Sequence, residues 1–148
     1  DLMALRPAGA GTDLALACEQ ARRHLAHRGL VFVLSDFADP GADGALRLLA
    51  ARHEVVAITV ADPADAALPA AGVVTFEDPE SGERVEVDTD DDAFRARYAA
   101  AAAAREVARA QRLRECGVRR IALRTDAPVV EPLLAFFRDR RAGRRQAA

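Results

Sequence analysis

Three aspartates each follow a short apolar stretch of this sequence, and their carboxylates are the first groups that suggest chemistry. They are Asp36, Asp62 and Asp126. In an open parallel sheet, ligands bind at the carboxyl ends of the strands. Clustered carboxylates without a neighbouring lysine favour a hard, oxygen-ligated cation such as Mg²⁺ or Mn²⁺. Each aspartate taken alone is explained by an ordinary turn. Only the occurrence of all three at the ends of predicted strands indicates a metal site.

A second region of interest is the loop from Gly9 to Asp13, which precedes a predicted helix. Free backbone N–H groups at a helix start bind phosphate well, but the carboxylate of Asp13 would repel one. Thr12 stands where a helix N-cap is expected. A threonine hydroxyl is also a suitable metal ligand, so both roles for Thr12 are open at this point.

Several other chemistries lack the residues they need. All 21 basic residues are arginine, which disfavours Walker-type phosphate loops and Schiff-base catalysis. The only serines are Ser35 and Ser81, and neither lies in a Gly-x-Ser-x-Gly motif. Asp88, Asp90 and Asp92 resemble the start of a calcium loop, but the glycine and the bidentate glutamate of that loop are missing.

The histidines and cysteines show no metal-binding pattern. His24, His27 and His53 have no cysteine or glutamate partner at ligand spacing, so we assign no metal to them. Cys18 and Cys116 lie far apart and form no Cys-x-x-Cys pair. We therefore expect two buried free thiols rather than a disulfide or a metal site.

The composition predicts one domain in a reducing compartment. The chain has 148 residues, of which 51% are hydrophobic, enough for a single core. With 21 basic and 23 acidic residues mixed along the chain, we expect no nucleic-acid partner. No apolar run approaches the ~18 residues of a membrane span and no signal peptide is visible, so we expect a cytoplasmic location. The missing initiating Met suggests a fragment or a processed product.

Apolar periodicity predicts alternating helices and strands. The predicted order is helix 14–28, strand 30–34, helix 44–53, strand 54–60, hairpin strands 72–76 and 84–88, helix 90–116, strand 118–123 and helix 132–140. On helix 90–116, the stripe expected to be buried is Ala103, Val107, Ala110 and Leu113. The basic tail 138–148 is expected to be disordered. This order predicts an α/β fold: a partial doubly wound, mainly parallel sheet with helices on both faces and an added β-hairpin.

Five segments in a fixed order resemble a known bacterial family. They are Gly11-Thr12-Asp13-Leu14, Val31 to Phe37, His53 to Ala57, Val74 to Glu83, and Leu133 to Phe137. Together they resemble the "domain of unknown function fifty-eight" (DUF58) family, and the similarity extends from Gly11 to Arg140. Members of that family have a von Willebrand factor A-like (vWA-like) domain and are typically encoded beside MoxR-type AAA+ ATPases.

The resemblance implies a metal-ion-dependent adhesion site (MIDAS). Such a site combines an Asp-x-Ser-x-Ser motif, a loop threonine and a later aspartate. Thr12 matches the threonine and Asp36 the later aspartate, whereas the Asp-x-Ser-x-Ser motif is absent from this chain. The first strand of the family's sheet would then lie upstream or be missing. We expect the edge of Leu30–Leu34 to be unpaired and to form a homodimer or pair within a longer polypeptide.

The expected function is a non-enzymatic protein-interaction adaptor that works with an AAA+ ATPase or another protein partner, with Mg²⁺ or Mn²⁺ bridging to a partner carboxylate. The alternative is a Mg²⁺-dependent phosphoryl-transfer hydrolase with Asp36 as nucleophile or metal ligand. That enzyme would lack a matching general base and a lysine. A third interpretation is a scaffold whose acidic rim consists only of solvated turns.

Overall fold

The computed structural model describes residues 12–77 and 82–146. In chain order the elements are α1 (Leu14–His24), β1 (Leu30–Leu34), α2 (Asp43–Ala50), β2 (Glu54–Ala61), α3 (Pro63–Ala66), β3 (Val73–Glu77), β4 (Arg84–Asp88), α4 (Asp92–Glu115), β5 (Arg119–Arg124) and α5 (Val130–Gln146). A 3₁₀ turn, Pro40–Ala42, precedes α2. The loop residues Gly9 to Gly11 and the hairpin tip that contains Ser81 lie outside the described residues.

A parallel three-stranded sheet in the order β1–β2–β5 forms the centre of the domain. The predicted α/β fold with a mainly parallel sheet is therefore confirmed. The apolar run Leu30–Leu34 forms β1 with the predicted bounds, and β2 ends one residue later than predicted. Within the described residues, β1 pairs only with β2, so its other edge is open, as expected.

Side chains of β2 alternate between two separate cores, as the pleat of a strand requires. Val55 and Ala57 point to a first face, where α1, α2 and α4 pack. The core on this first face consists of Cys18, Phe37, Leu46, Leu49, Val55, Ala57, Leu113, Cys116 and Val118. Val56 and Ile58 point to a second face, where α5 packs with Phe136. The prediction of helices on both faces is thus confirmed.

The second face is only partly covered by α5. Phe32 is 38% exposed, Leu34 69% and Val60 57%, although all three lie on strands of the central sheet. The uninterrupted apolar run of β1 is typical of a strand covered on both faces, but on this face the strand is largely uncovered. The reason is that α5 is the one described helix whose residues pack into this core, and it leaves the carboxyl ends of β1 and β2 uncovered.

Charged groups fix α5 against the sheet. The Nε–H of Arg140 donates to both carboxylate oxygens of Glu54 on β2, at 2.8 and 3.0 Å. The guanidinium of Arg119 lies 4.4 Å from the centre of the Phe136 ring, a cation–π contact. We expected α5 to end near Arg140 and the following tail to be disordered, but the helix continues to Gln146. Arginine is a good helix former and is favoured near the negative end of the helix dipole, which explains the extension.

The hairpin of β3 and β4 is antiparallel, with Val74 opposite Val87 and Phe76 opposite Val85. Its base is held by the buried Thr89. The hydroxyl of Thr89 donates to the carbonyl of Gly72 at 2.7 Å and accepts from the backbone N–H of Ala71 at 3.0 Å. The predicted added hairpin is confirmed.

Three local predictions need correction. The N-cap of α1 is Asp13, whose carboxylate accepts from the Leu16 N–H, and not Thr12. The same helix ends at His24 instead of residue 28. On α4, Leu113 of the predicted stripe is buried, but Val107 is 64% exposed, and Ala102, which lies outside that stripe, is buried. Alanine occurs on every side of this helix, so its sequence gives no clear apolar face.

The two cysteines are buried free thiols, as expected. Burial raises the pKa of both Cys18 and Cys116 above the ordinary thiol value. Among the helices of the described residues, none combines the length and the apolar character that crossing a membrane requires.

Candidate functional site

The loop that follows β1 carries Asp36 and is shaped by its own side chains. The hydroxyl of Ser35 accepts from the Phe37 N–H at 3.1 Å. The Oδ1 atom of Asp36 accepts from the Ala38 N–H at 3.1 Å. These are side-chain turns of the kind that serine and aspartate favour. They fix the direction of the chain at the carboxyl end of the strand.

Phe37 turns this loop into the first-face core. It is buried and has a φ of 53°, the one positive φ of a non-glycine residue in the described chain. For a bulky residue this conformation is strained and persists only where its surroundings hold it. Here α4 holds it, because Arg109 Nη1 donates to the Asp36 carbonyl at 3.0 Å and Arg112 Nη2 donates to the Phe37 carbonyl at 2.8 Å.

Thr12 and Asp36 line the same cleft, which we call the β1 cleft. It has a volume of about 580 Å³ and is lined by Thr12, Leu14, Leu34, Ser35, Asp36, Phe37, Ala38 and Asp39. The fold thus brings together the two residues that the sequence singled out as metal ligands. Neither Thr12 Oγ1 nor Asp36 Oδ2 makes a hydrogen bond with any described residue.

The β1 cleft offers few ligands for a cation within the described residues. No group of three or more His, Cys, Asp or Glu side chains in residues 12–77 and 82–146 is arranged to hold a metal ion. Asp39 is occupied, because its Oδ1 accepts from the Gly41 N–H at 2.7 Å. One carboxylate and one hydroxyl suit a hydrated Mg²⁺, which keeps several waters and uses one or two protein carboxylates.

The other two strand-end aspartates do not join Asp36 in the β1 cleft. Asp62 is the N-cap of α3, where it accepts from the Ala64 N–H, and it also accepts from the Thr125 hydroxyl at 2.7 Å. These hydrogen bonds lower the pKa of Asp62. Asp126 forms a bidentate pair with Arg124 at 2.8 Å, which lowers the pKa of Asp126. Both carboxylates therefore have structural partners.

Comparison with known proteins identifies the sequence family of this chain. The sequence family described as "Protein of unknown function DUF58" matches residues 1–108, which is more than half of the chain. The chain belongs to the DUF58 family. No solved structure matches this DUF58 chain.

Several mycobacterial proteins, each named only as an uncharacterised protein, are similar to this chain. Proteins of Mycobacterium tuberculosis H37Rv and of Mycobacterium bovis are each 42% identical over 138 residues, which is 93% of this chain and 43% of theirs. A protein of Mycobacterium avium is 40% identical over 138 residues, 93% of this chain and 81% of its own length. The chain thus spans less than half the length of the first two relatives.

A second cleft of this DUF58 domain was not predicted from the sequence. We call it the α4 cleft; it has a volume of about 530 Å³ and is lined by Asp36, Phe37, Ala38, Val60, Ala61, Asp65, Tyr98, Ala102, Arg105, Glu106, Ala108, Arg109 and Arg112. Arg105, Arg109 and Arg112 recur at helical spacing on α4, which was the available signal. We considered only the apolar residues of that helix and so missed them.

One wall of the α4 cleft is a chain of paired polar groups. Glu106 forms ion pairs with Arg109 and with Arg120 of β5. Arg120 in turn donates from Nε and Nη2 to the buried Thr59 hydroxyl, at 3.1 and 2.9 Å. Burial alone would raise the pKa of Glu106, but the two arginines together outweigh it and hold that pKa below the ordinary value. This network connects the end of the sheet to the loop that carries Asp36.

Proposed function

We propose that this DUF58 chain is a vWA-type protein-interaction module that works as an adaptor of an AAA+ ATPase, with a divalent cation in the β1 cleft. The observation that carries the proposal is that Thr12 and Asp36 line one cleft at the carboxyl end of an edge strand. Each presents an oxygen without a hydrogen bond to any described residue. A cation held there with open coordination positions recognises a partner carboxylate without bond cleavage.

A metal titration tests the cation. A ligand that binds only the folded state raises the unfolding midpoint, and a hundredfold excess over Kd corresponds to a rise of about 5–10 °C for a chain of this size. We expect Mn²⁺ and Mg²⁺ to produce such a rise for the wild type and not for Asp36→Ala. Asp126→Ala is the matched control, because Asp126 also ends a strand but is absent from the β1 cleft. An equal rise in Asp36→Ala would contradict the proposed site.

A capture experiment tests the adaptor. The immobilised chain should retain a MoxR-type AAA+ ATPase in Mg²⁺, and retention should fall at least tenfold for the double variant Thr12→Ala, Asp36→Ala. Unchanged retention would instead favour a scaffold with a merely solvated acidic rim. Turnover of p-nitrophenyl phosphate that is abolished by Asp36→Ala would favour the hydrolase, since Asp36 would then act on a phosphoryl group.

A further inference from the structure

The open edge of β1 presents the backbone groups of alternate residues. On the paired side, the Glu54 N–H donates to the Gly29 carbonyl at 2.9 Å, and the Ser35 N–H donates to the Ile58 carbonyl at 3.3 Å. Odd-numbered residues of this segment therefore direct their N–H and C=O groups toward β2. Successive residues of a strand point to opposite sides, so the even-numbered residues direct theirs toward the open edge. These outward residues are Leu30, Phe32 and Leu34.

The side chains of the same outward residues lie on the second face of the sheet. Leu30 packs against the second-face core, and the ring of Phe32 contacts that of Phe136. The sequence of β1, Leu-Val-Phe-Val-Leu, contains no charge and no proline, the residues with which natural proteins protect an edge strand. The open edge and the uncovered part of the second face thus form one continuous surface that another strand can extend.

Helix α5 covers the amino end of β1 and leaves its carboxyl end bare. Near the end of α5, Arg140 pairs with Glu54, which lies opposite Leu30 in the sheet register. The Phe137 ring lies 6.2 Å from that of Phe32, between centroids. The last residue of β1 is 69% exposed. Each copy therefore has a covered end and a bare end along the same open edge.

We infer that two copies of this chain pair antiparallel along β1, with Phe32 opposite its own counterpart at a two-fold axis and Leu34 opposite Leu30 of the other copy. In this register every outward N–H and C=O of β1 is paired, and the two central sheets become one. The arrangement also places the α5-covered amino end of one β1 beside the bare carboxyl end of the other. Each copy therefore shields Leu34 of its partner. A symmetric register shifted along the strand leaves an outward residue unpaired.

Thiol cross-linking with a short bismaleimide tests this register. Opposite residues of a hydrogen-bonded antiparallel pair have Cα atoms about 5.5 Å apart, which is within reach of the reagent for Phe32→Cys. Val60→Cys is the matched control, because Val60 is 57% exposed on the same face but lies on β2. Three strand spacings, at least about 14 Å, separate its two copies. We expect about tenfold more covalent dimer for Phe32→Cys, since only its thiols face each other.

The cross-linking is made at a protein concentration at which light scattering shows both variants to be dimeric. The wild type is the blank, because Cys18 and Cys116 are buried. Equal yields of covalent dimer from the two variants would overturn the inference. A wild type that stays monomeric would do so as well, and would indicate that the edge of β1 pairs with another segment of a longer polypeptide.

Leu34→Pro tests the edge with little change of packing inside one copy. It removes an outward N–H, and proline is tolerated in an edge strand where that N–H faces away from the sheet. We expect the dimer to weaken about tenfold in light scattering, while urea unfolding stays cooperative. Leu34→Ala keeps the N–H and should weaken the dimer less. A dimer that is unaffected by Leu34→Pro would refute pairing through this edge.

Discussion

The two faces of the central sheet differ in how completely they are closed. On the first face, three helices enclose a core in which Leu46, Leu49 and Ala57 are almost fully buried. On the second face, α5 alone covers a smaller core, and Leu34 and Val60 remain largely exposed. Both faces use the same strands, so the difference arises from the helices that pack on them.

This difference separates stability from self-association. A closed core contributes most to the free energy of unfolding, because each buried methylene is removed from water and contacts close-packed neighbours. A partly open apolar face contributes less and leaves surface for another protein segment. We therefore expect the first face to govern folding and the second face, with the open edge of β1, to govern self-association.

Leu49→Ala should show the largest effect on stability. Leu49 is fully buried in the first-face core, so truncation creates a cavity and should lower the free energy of unfolding by about 3 kcal/mol. Its neighbour Leu48 is 57% exposed on the same helix, and Leu48→Ala should cost less than about 0.5 kcal/mol. Urea denaturation of both variants measures the contrast, and similar losses would contradict the assignment of the core.

Phe136→Ala tests the second face in the same way. The ring of Phe136 is in edge-to-face contact with Phe32 and Phe137, at centroid distances of 6.2 and 5.3 Å. Both neighbours are partly exposed and free to move into the space. Phe136→Ala should therefore lower the free energy of unfolding by about 2 kcal/mol, which is below the usual range for truncating a buried phenylalanine. If Phe136→Ala lost more unfolding free energy than Leu49→Ala in the same urea denaturation, the first face would not be the main source of stability.

The sequence predicted the strands well because their apolar runs are uninterrupted and bounded by polar residues. Leu30–Leu34 and Glu54–Ala61 consist mainly of β-branched and aliphatic residues, which is typical of strands in a parallel sheet. The buried side of α4 was not predictable in this way, since alanines surround the helix and the contacts of Arg109 and Arg112 with the β1 loop decide its orientation. Those contacts join residues more than 70 positions apart.

The candidate site was predictable only in part. Family resemblance singled out Thr12 and Asp36, and the fold places them in one cleft. The left-handed backbone of Phe37 had no signal in the sequence, because a phenylalanine rarely adopts it and only tertiary contacts maintain it. The paired arginines of the α4 cleft were equally hidden, since their partners depend on which hydrogen bonds and ion pairs each arginine makes after folding.

A charge placed on the open edge of β1 should weaken self-association through that edge. We expect the wild type to form dimers, because β1 presents an unpaired edge beside the exposed Leu34. Leu34→Lys should weaken the dimer about tenfold, whereas Val107→Lys, an equally exposed position on α4, should not. Size-exclusion chromatography with light scattering measures this, and a monodisperse wild-type monomer would contradict it.

Glu106→Gln should change the stability less than Leu49→Ala or Phe136→Ala. It tests whether ion pairs, in addition to apolar contacts, stabilise the first face. Its pKa is lowered in the folded state, so the stabilisation it provides is present above the ordinary glutamate pKa and is lost as the pH falls through the lowered value. The unfolding midpoint of the wild type should therefore fall more steeply below about pH 4.5 than that of Glu106→Gln. Thermal unfolding of both proteins between about pH 7 and pH 3, the range over which glutamate titrates, measures the difference. Parallel curves would mean that the ion pairs of Glu106 with Arg109 and Arg120 are too well solvated to contribute, and the first face would then depend on its apolar core alone.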